Sequence, residues 1–567
     1  MSNHSNFIVV GGGTAGLLLA SRLANSRSKP TVLVIEAGKG RSELSYRIPS
    51  SRFSLAFTNP EIDHGYNTVP QTELGGRELQ YVRGKGLGGS TLNNFMLYLS
   101  GSKEDYNHWA DLAGDDTWNW EESHRRLKEL ENFHFNVPAE LQHLFNPSSR
   151  DHGSSGPIDV SVPTVWEKGS QKIVEDVAKY GVPINLDINS GNPMGIGMVP
   201  SFAASGLRTT SASANLRDKP DNLLIWTEAT VGKIIFVNAH AVGVETIDGR
   251  KAFATQEIIL TAGAFNTPKL LMLSGIGPKD HLHKFNIPIV KHLPGVGQSL
   301  KDHPAIFLTA LMSGKLFNRT AFESSPSLTT AAKAQWEQDQ TGELTHQFSS
   351  LLVMFNKLPN IYNTPEFHAL EEHEKEYLKR DTVPHYEAVF MGPKIPPNAE
   401  VPEGKEYLSL VMFGMNPQGS GTVTLFSADP EDAAIIDPKT LSHAFDKRVL
   451  VDAVIDAIEI FKGTDIYKEG SEGWLNGPES LERAVVEKLV EEQALLVWHA
   501  NGTVKMGKKD DENRGACVDG SGRVFGVKGL RVADMSLSHV TINGHTAAAA
   551  YLIGATIAEK VIQEYGL

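Results

Sequence analysis

The chain has 567 residues, more than one ordinary hydrophobic core accommodates, so we expect two or three domains. Apolar residues make up 40% of the sequence and charged residues 21%, which is typical of a folded globular protein and not of a disordered one. The net charge of -14 argues against nucleic acid or an anionic membrane as a partner, because phosphate groups require a basic surface.

The chain opens with a predicted β–α–β unit. Phe7–Val10 and Thr31–Glu36 are short apolar runs typical of buried strands, and Gly16–Asn25 between them has apolar residues at helical spacing. This order of elements begins a doubly wound sheet. The first hydrophobic run is therefore a strand and not a secretory leader, and no stretch of roughly twenty apolar residues follows. We expect a cytoplasmic protein without a membrane span.

The first strand runs into a glycine motif. Gly11, Gly13 and Gly16 form G-x-G-x-x-G at the start of the helix, and Glu36 ends the second strand. Glycines at these positions let the backbone approach a pyrophosphate at the helix N-terminus, and an acidic side chain after the next strand accepts hydrogen bonds from an adenosine ribose. The motif predicts a dinucleotide site but does not distinguish FAD from NAD.

Further elements are predicted along the rest of the chain. A second glycine-rich stretch, Arg83–Tyr98, is equally compatible with a phosphate-binding loop and with a linker between domains. The single cysteine, Cys517, excludes a disulfide within the chain and has no neighbouring base in sequence that would support a thiol mechanism. Predicted strands lie at Leu223–Thr227, Lys233–Val237, Glu257–Thr261 and Thr422–Phe426, and predicted helices at Leu328–Gln340, Glu366–Lys379 and His545–Tyr565.

Six segments give the chain a resemblance to a known family. They are GKGLGGST at Gly84–Thr91, HGSSGP at His152–Pro157, GAFNTPKLLMLSGIG at Gly263–Gly277, LPGVGQSLKDHP at Leu293–Pro304, VADMS at Val532–Ser536 and HTAAAAYLIG at His545–Gly554. With them, the sequence resembles the glucose–methanol–choline family of FAD-dependent oxidoreductases, and among these the aryl-alcohol oxidases.

The resemblance implies an α/β protein with two discontinuous domains. A Rossmann-like FAD-binding domain on a doubly wound parallel sheet would take residues 1–157, 201–304 and 498–567. An α+β substrate domain on an antiparallel sheet would take residues 158–200 and 305–497. The cofactor would be non-covalent FAD, because Asn93 stands where some relatives carry a histidine bonded to the flavin.

The resemblance also assigns positions to the cofactor. Together with the glycine motif, the residues expected to contact FAD are Gly11, Gly13, Thr14, Ala15, Gly16, Glu36, Ala37, Arg83, Gly89, Asn94, Phe95, Met96, Val231, Trp498, Ala533, Asp534, Gly544 and Thr546.

The family's catalytic pair maps to His499 and His545. A histidine beside a tryptophan is more often a packed residue, so it is the resemblance that makes His499 the candidate base. His499 would take the hydroxyl proton of a primary alcohol while hydride passes to flavin N5, and His545 would hydrogen-bond the same oxygen and stabilise its developing charge. We expect an aromatic or allylic alcohol as substrate, an aldehyde as product, and O2 or another compound as electron acceptor.

Phe95, Trp498 and Asn501 are expected to contact the substrate, and no metal is expected. Proline usually follows the first catalytic histidine in the family, whereas Ala500 and Asn501 follow it here. His64, His303 and His385 are expected to be structural. The alternatives are a lyase resembling the hydroxynitrile lyases, a flavin photoenzyme without net redox turnover, and a flavin-binding protein without activity. The sequence leaves the choice between oxidase and dehydrogenase open.

Overall fold

Two seven-stranded sheets organise the protein. The computed structural model describes residues 4–41, 43–162, 168–313, 319–345, 352–391, 394 and 399–567. In chain order the strands of the two sheets are β1 His4–Val10, β2 Val32–Ile35, β3 Gly195–Met198, β4 Leu223–Trp226, β5 Val231–Val237, β6 His240–Thr246, β7 Lys251–Leu260, β8 Pro304–Ser313, β9 Leu352–Asn356, β10 Tyr386–Phe390, β11 Lys405–Gly414, β12 Ser471–Asn476, β13 Leu495–Leu496 and β14 Leu530–Val532. Short two-stranded ladders pair Tyr66–Asn67 with Gln80–Tyr81, Glu131–His134 with Ile158–Ser161, Ala203–Ala204 with Leu207–Arg208, Ile276–Gly277 with Lys291–His292, and Thr422–Thr424 with Ile435–Asp437.

Helices surround these sheets. In chain order they are α1 Thr14–Ala24, α2 Ser54–Thr58, α3 Lys103–Ala113, α4 Trp120–Leu130, α5 Lys168–Lys179, α6 Ser211–Asn215, α7 Gly263–Leu273, α8 Lys279–Lys284, α9 Arg319–Glu323, α10 Pro326–Asp339, α11 Pro365–His368, α12 Glu372–Lys379, α13 Ala444–Gly463, α14 Asp465–Gly470, α15 Arg483–Gln493 and α16 Ala547–Tyr565. None of the helices in the described part of the chain is long and apolar enough to span a membrane.

The first sheet is mainly parallel, with strand order β4-β2-β1-β7-β6-β5 and β14 paired to β7. The pairs among β4, β2, β1, β7 and β14 are parallel, whereas β5 and β6 are antiparallel additions at one edge. Val9 of β1 lies between Val34 and Ile259 on its two neighbours. Strands covered on both faces need continuous apolar runs, which explains the sequences FIVV and VLVI.

The second sheet is antiparallel in every recorded pair, with strand order β12-β8-β11-β10-β9-β3 and β13 paired to β8. At its centre Leu308 of β8 faces Leu410 of β11, and both side chains are fully buried. The predicted α/β fold with one mainly parallel and one antiparallel sheet is therefore confirmed. The boundaries of the two domains stay a prediction.

Helices α1 and α16 approach each other closely on the first sheet. A Cβ at Gly554 of α16 would lie 2.6 Å from the carbonyl oxygen of Ala15 in α1, so a glycine is required there. Glu559 of α16 accepts a hydrogen bond from Nε of Arg126 at 2.5 Å, which ties the helix to α4. This packing brings the N-termini of α1 and α16 to the same cavity, which both helices line.

The predicted helices and strands are present with shifted ends, and one predicted helix is wrong. The region predicted as a single helix at Glu366–Lys379 is two helices, α11 and α12. Thr364 caps α11 by accepting from the backbone N–H of Phe367, and Glu371, the N-cap of α12, forms a capping box with Glu374. Two N-terminal caps seven residues apart favour two short helices over one continuous helix.

Candidate active site

A cavity is lined both by segments that follow strands of the first sheet and by residues of the second sheet. One end is lined by the loop after β1 and the start of α1, through Gly11 and Gly13. The other end is lined by Phe307 of β8 and Phe413 of β11. The parallel sheet therefore contributes glycines and backbone, and the antiparallel sheet contributes aromatic side chains.

The glycine end of the cavity has the features of an anion site. Gly13 is the N-cap of α1, and the first turn has neither a side-chain cap nor an acidic residue. Its N–H groups and the positive end of the helix dipole are therefore available to a phosphate. Gly89 has φ +54° and meets this turn so closely that a Cβ on it would lie 2.7 Å from Cα of Gly13. The two glycine loops touch because neither has a side chain.

The carboxylate of Glu36 connects these loops by accepting hydrogen bonds from their backbone. Its Oε2 accepts the N–H of Gly12 at 2.8 Å, and its Oε1 accepts those of Gly38 at 2.8 Å and Gly86 at 3.1 Å. Burial raises the pKa of Glu36, and the backbone hydrogen bonds oppose that rise. The sequence assigned this carboxylate to a ribose, whereas its observed contacts hold three segments of the loop region together.

Two further charged side chains, Arg83 and Asp534, line the cavity. Asp534 accepts hydrogen bonds from the N–H of Gly263 at 2.9 Å and the hydroxyl of Thr267 at 2.6 Å, and burial raises its pKa. Arg83 lies over the ring of Tyr81 at 5.3 Å, and its buried Nε and Nη2 have no hydrogen-bond partner among the described residues. A partly buried guanidinium with unpaired buried donors beside a cavity is suited to a polar or anionic ligand.

His499 and His545 stand side by side on the cavity wall, with ring centroids 4.7 Å apart at an interplanar angle of 62°. His499 is 9% exposed, and burial lowers its pKa well below the usual value, with further contributions from His545, His303 and Arg83. A neutral imidazole at the wall of an apolar cavity is able to accept a proton from a bound hydroxyl group.

A buried carboxylate that the sequence did not predict stands behind His545. Oε1 of Glu387 lies 2.9 Å from Nε2 of His545, and Glu387 is fully buried on β10. This contact fixes the ring and leaves Nδ1 of His545 for the cavity. A signal was present in the sequence, because Glu387 interrupts the otherwise uncharged strand YEAVF.

The segment Asp302–His303 stands behind His499. Oδ1 of Asp302 accepts the backbone N–H of His499 at 2.8 Å, and Nδ1 of His303 lies 3.0 Å from Nδ1 of His499. His303 was expected to be structural. It contacts the ring of the candidate base directly, which the sequence did not predict.

Aromatic rings form the outer end of the cavity. Trp498 lies 5.8 Å from Phe95 and 5.5 Å from Phe57, measured between ring centroids, and Phe53 packs edge-on against Phe95 at 4.8 Å. Trp498 has φ +66°, a conformation that is uncommon for a residue other than glycine. This backbone turn places the indole at the outer end and the next residue, His499, on the cavity wall.

Comparisons with known proteins identify the family of this chain. Models described as GMC oxidoreductase match residues 5–305 and 417–554. The chain belongs to the GMC oxidoreductase family. Versicolorin B synthase of Aspergillus parasiticus is 31% identical over 98% of this chain and 88% of its own. A structure of formate oxidase from Aspergillus oryzae RIB40, determined to study modification of its FAD, is 26% identical with a TM-score of 0.88 over 99% of both chains. A fungal aryl-alcohol oxidase shares the fold, with 22% identity and a TM-score of 0.86 over the full length of both chains.

As a GMC oxidoreductase the protein is an FAD-dependent enzyme, and the residues at the cavity suit that cofactor. The uncapped N-terminus of α1 and the side-chain-free contact between Gly13 and Gly89 suit a pyrophosphate. The free donors of Arg83 suit a polar portion of the same molecule. At the other end of the cavity, α16 also begins without a side-chain cap or an acidic residue, next to His545. Such a helix end stabilises negative charge on a bound ring system.

Most residues predicted to contact FAD line this cavity. They are Gly11, Gly13, Thr14, Ala15, Glu36, Arg83, Gly89, Asn94, Phe95, Met96, Trp498, Asp534 and Thr546, together with His499 and His545. The expected contacts of Ala37, Val231, Ala533 and Gly544 stay predictions, because these residues are not among those lining it. Gly16 serves packing, since a Cβ there would lie 2.2 Å from the carbonyl oxygen of Gly11.

Asn501 does not line the cavity, which corrects the expectation that it contacts the substrate. Its side chain is fully buried and donates to the carbonyl of His499 at 3.0 Å and to the hydroxyl of Thr541 at 3.2 Å. The amide therefore holds the backbone that carries His499. The sequence predicted that Asn501 lies near the base but did not predict the direction of its side chain.

The other singled-out side chains divide between the cavity and the core. His64 was expected to be structural, but it lines the cavity stacked on Tyr66, and burial, followed by the charge of Lys85, lowers its pKa to about 4. His385 accepts the backbone N–H of Leu358 at 2.9 Å, a contact within the core. Cys517 is buried, and burial raises the pKa of its thiol. In the described part of the chain, no group of three or more His, Cys, Asp or Glu side chains is arranged to hold a metal ion.

Proposed function

We propose that this GMC oxidoreductase oxidises a primary alcohol, aromatic or allylic, to the aldehyde, with FAD bound non-covalently. The observation that carries the proposal is the pair His499 and His545, in ring contact at 4.7 Å on the same cavity that the glycine motif lines. FAD, when bound, would supply the hydride acceptor and would then be reoxidised by O2 or another acceptor.

The two histidines have different tasks in this proposal. His499 is kept neutral by its lowered pKa, and Nε2, the ring nitrogen not directed at His303, takes the hydroxyl proton of the alcohol. His545 contacts the same oxygen from Nδ1 while Glu387 holds its Nε2, which stabilises the developing charge on that oxygen. His499 is buried and the side chain of His545 is only 12% exposed, which limits the access of water to these positions.

The outer end of the cavity supports the choice of substrate class. Its walls include the rings of Phe57, Phe95, Phe307, Phe413 and Trp498. Aromatic walls favour a flat aromatic or allylic group, because ring contacts add to the burial of apolar surface. A sugar would leave several hydroxyl groups without partners against these rings.

Non-covalent attachment is supported by Asn93. Its side-chain amide is buried and donates to the carbonyl of Ile62 at 3.4 Å, and an amide nitrogen is not a nucleophile able to form a bond to a flavin. Precipitation of the protein with acid is expected to release all of its FAD into the supernatant. Flavin that stays in the pellet would contradict non-covalent binding.

A screen of flavin reduction tests the proposed activity. The holoenzyme is mixed anaerobically with aryl, allylic, aliphatic and sugar alcohols, and air is then admitted and peroxide is assayed. We expect aryl or allylic alcohols to bleach the flavin fastest, and the variants His499→Ala and His545→Ala to be slower, His499→Ala more severely. Turnover of a substrate without net redox change would contradict the proposal and would instead support a lyase.

A further inference from the structure

A second buried histidine contacts the candidate base through a defined pair of atoms. Nδ1 of His303 lies 3.0 Å from Nδ1 of His499, and the two rings are almost perpendicular at 87°. His303 is fully buried, and its Nε2 has no hydrogen-bond partner among the described residues. All of the polar contact that this imidazole makes is therefore directed at His499.

The contact is built into the backbone of both segments. Lys301 pairs with Asn501, and Pro304 pairs with Leu496 at the start of β8. Between these two pairs, residues 302–303 on one strand face residues 497–500 on the other. The two extra residues are accommodated at Trp498, where φ is +66°. Continuing from the Lys301–Asn501 pair, His303 lies opposite His499. Bulges of this kind occur beside active sites, where they direct a side chain.

Asp302 holds the backbone of His499, whereas His303 contacts its ring. Its Oδ1 accepts the backbone N–H of His499 at 2.8 Å, and its Oδ2 accepts the hydroxyl of Tyr81. Consecutive residues therefore hold the backbone and the ring of His499. Rotation of the imidazole about its side-chain bonds would break the contact with His303.

The number of protons on the two neutral rings determines which Nδ1 atom donates in this hydrogen bond. One proton is shared between the two Nδ1 atoms while both rings are neutral. If His499 is to accept a proton on Nε2, its own proton must be on Nδ1, and Nδ1 of His303 must then be an acceptor. Burial, with a further contribution from His545, lowers the pKa of His303 to about 3, so His303 stays neutral and able to accept.

We propose that His303 is a positioning residue that accepts a hydrogen bond from Nδ1–H of His499, so that Nε2 of His499 is the basic atom facing the substrate. This inference rests on the proposed alcohol oxidation and adds to it a determinant of the base's tautomer. When His499 takes the hydroxyl proton on Nε2 it becomes positively charged, and its hydrogen bond to His303 becomes charge-assisted. The contact therefore strengthens on proton transfer and acts on the rate more than on substrate binding.

Two replacements of His303 separate this role from packing. His303→Leu fills the space without an acceptor, whereas His303→Asn places a carbonyl oxygen near the position of Nδ1. We expect the limiting rate of anaerobic flavin reduction in His303→Leu to fall on the order of 10- to 100-fold, with unchanged FAD content and alcohol affinity. His303→Asn should stay within about three-fold of wild type. His385→Leu, which removes a buried imidazole from the core, is the control and should reduce at the wild-type rate. The proposal is wrong if His303→Leu is as fast as wild type, or if His303→Asn is as slow as His303→Leu.

A neutron structure, determined from crystals of the protein grown with FAD, tests the proton positions without any substrate. We expect deuterium on Nδ1 of His499 and on Nε2 of His303, with none on Nδ1 of His303. Deuterium on Nδ1 of His303 directed at His499 would overturn the proposal. If no alcohol reduces the wild-type flavin, the proposed function fails, and the neutron map still decides the direction of the hydrogen bond between His303 and His499.

Discussion

A buried positive charge at His152 makes the stability of the fold depend on pH. His152 is 5% exposed, with Nδ1 2.9 Å from Oε2 of Glu131 and Nε2 3.3 Å from Oδ1 of Asp187. Burial alone would lower its pKa, but the two carboxylates outweigh burial and raise the pKa to about 9. Glu131 also accepts the hydroxyl of Tyr98, two residues after Met96 at the cavity. The network therefore supports the segment that lines the active site.

The magnitude follows from the two pKa values. The folded pKa of His152, about 9, lies above the unfolded value of about 6.5. The stabilisation is therefore complete below about pH 6.5 and is lost as the pH rises towards and through 9. At about 1.4 kcal/mol per pKa unit, the loss is about 3 kcal/mol.

Denaturant unfolding of the holoenzyme measures this loss. Wild type is expected to lose about 3 kcal/mol more than His152→Gln when the pH is raised from 6.5 to 10. His143→Gln is the matched control, because His143 also lies near a carboxylate, that of Glu175 at 3.5 Å, but is 57% exposed. Parallel losses in wild type and His152→Gln across this window would refute the reasoning.

Three further predictions concern the cavity. Glu387→Gln removes the negative charge behind His545 but keeps its shape, so the limiting rate of flavin reduction should fall about tenfold, and an unchanged rate would contradict a role for the carboxylate. Gly89→Ala should abolish FAD binding, measured as flavin per protein, because its Cβ would lie 2.7 Å from Cα of Gly13, whereas Gly40→Ala, with nothing within 4 Å, should bind FAD like wild type. Trp498→Ala should raise KM roughly tenfold for aromatic alcohols, while KM for short aliphatic alcohols changes little, since one ring contact is lost. Equal changes for both alcohol classes would argue against the aromatic wall.

Much of the nucleotide end of the cavity could be predicted from the sequence, because its function depends on local chain properties. Gly11 and Gly13 follow a continuous apolar strand, and that pattern alone predicts a glycine turn at a helix N-terminus. Glu36 was found by the same rule. Its observed contacts with Gly12, Gly38 and Gly86 depend on how separate loops fold together, which no local pattern reveals.

The catalytic end was less predictable because it is assembled from segments far apart in the chain. His499 and His545 were named through a family resemblance, but their partners His303 and Glu387 lie 196 and 158 residues away from them. Residue type was also a poor guide to orientation. Asn501 is two residues from His499 and faces the core, whereas Phe57 is distant in sequence and contacts Trp498.

The central claim is that an alcohol transfers a hydride to the flavin while His499 takes its hydroxyl proton. The most direct measurement is anaerobic stopped-flow reduction of the holoenzyme by an aromatic primary alcohol, with the aldehyde quantified against the flavin. We predict one aldehyde for each FAD reduced, and a rate at least about 100-fold lower in His499→Ala at saturating alcohol. Consumption of the alcohol without flavin reduction, or a His499→Ala variant as fast as wild type, would contradict the account.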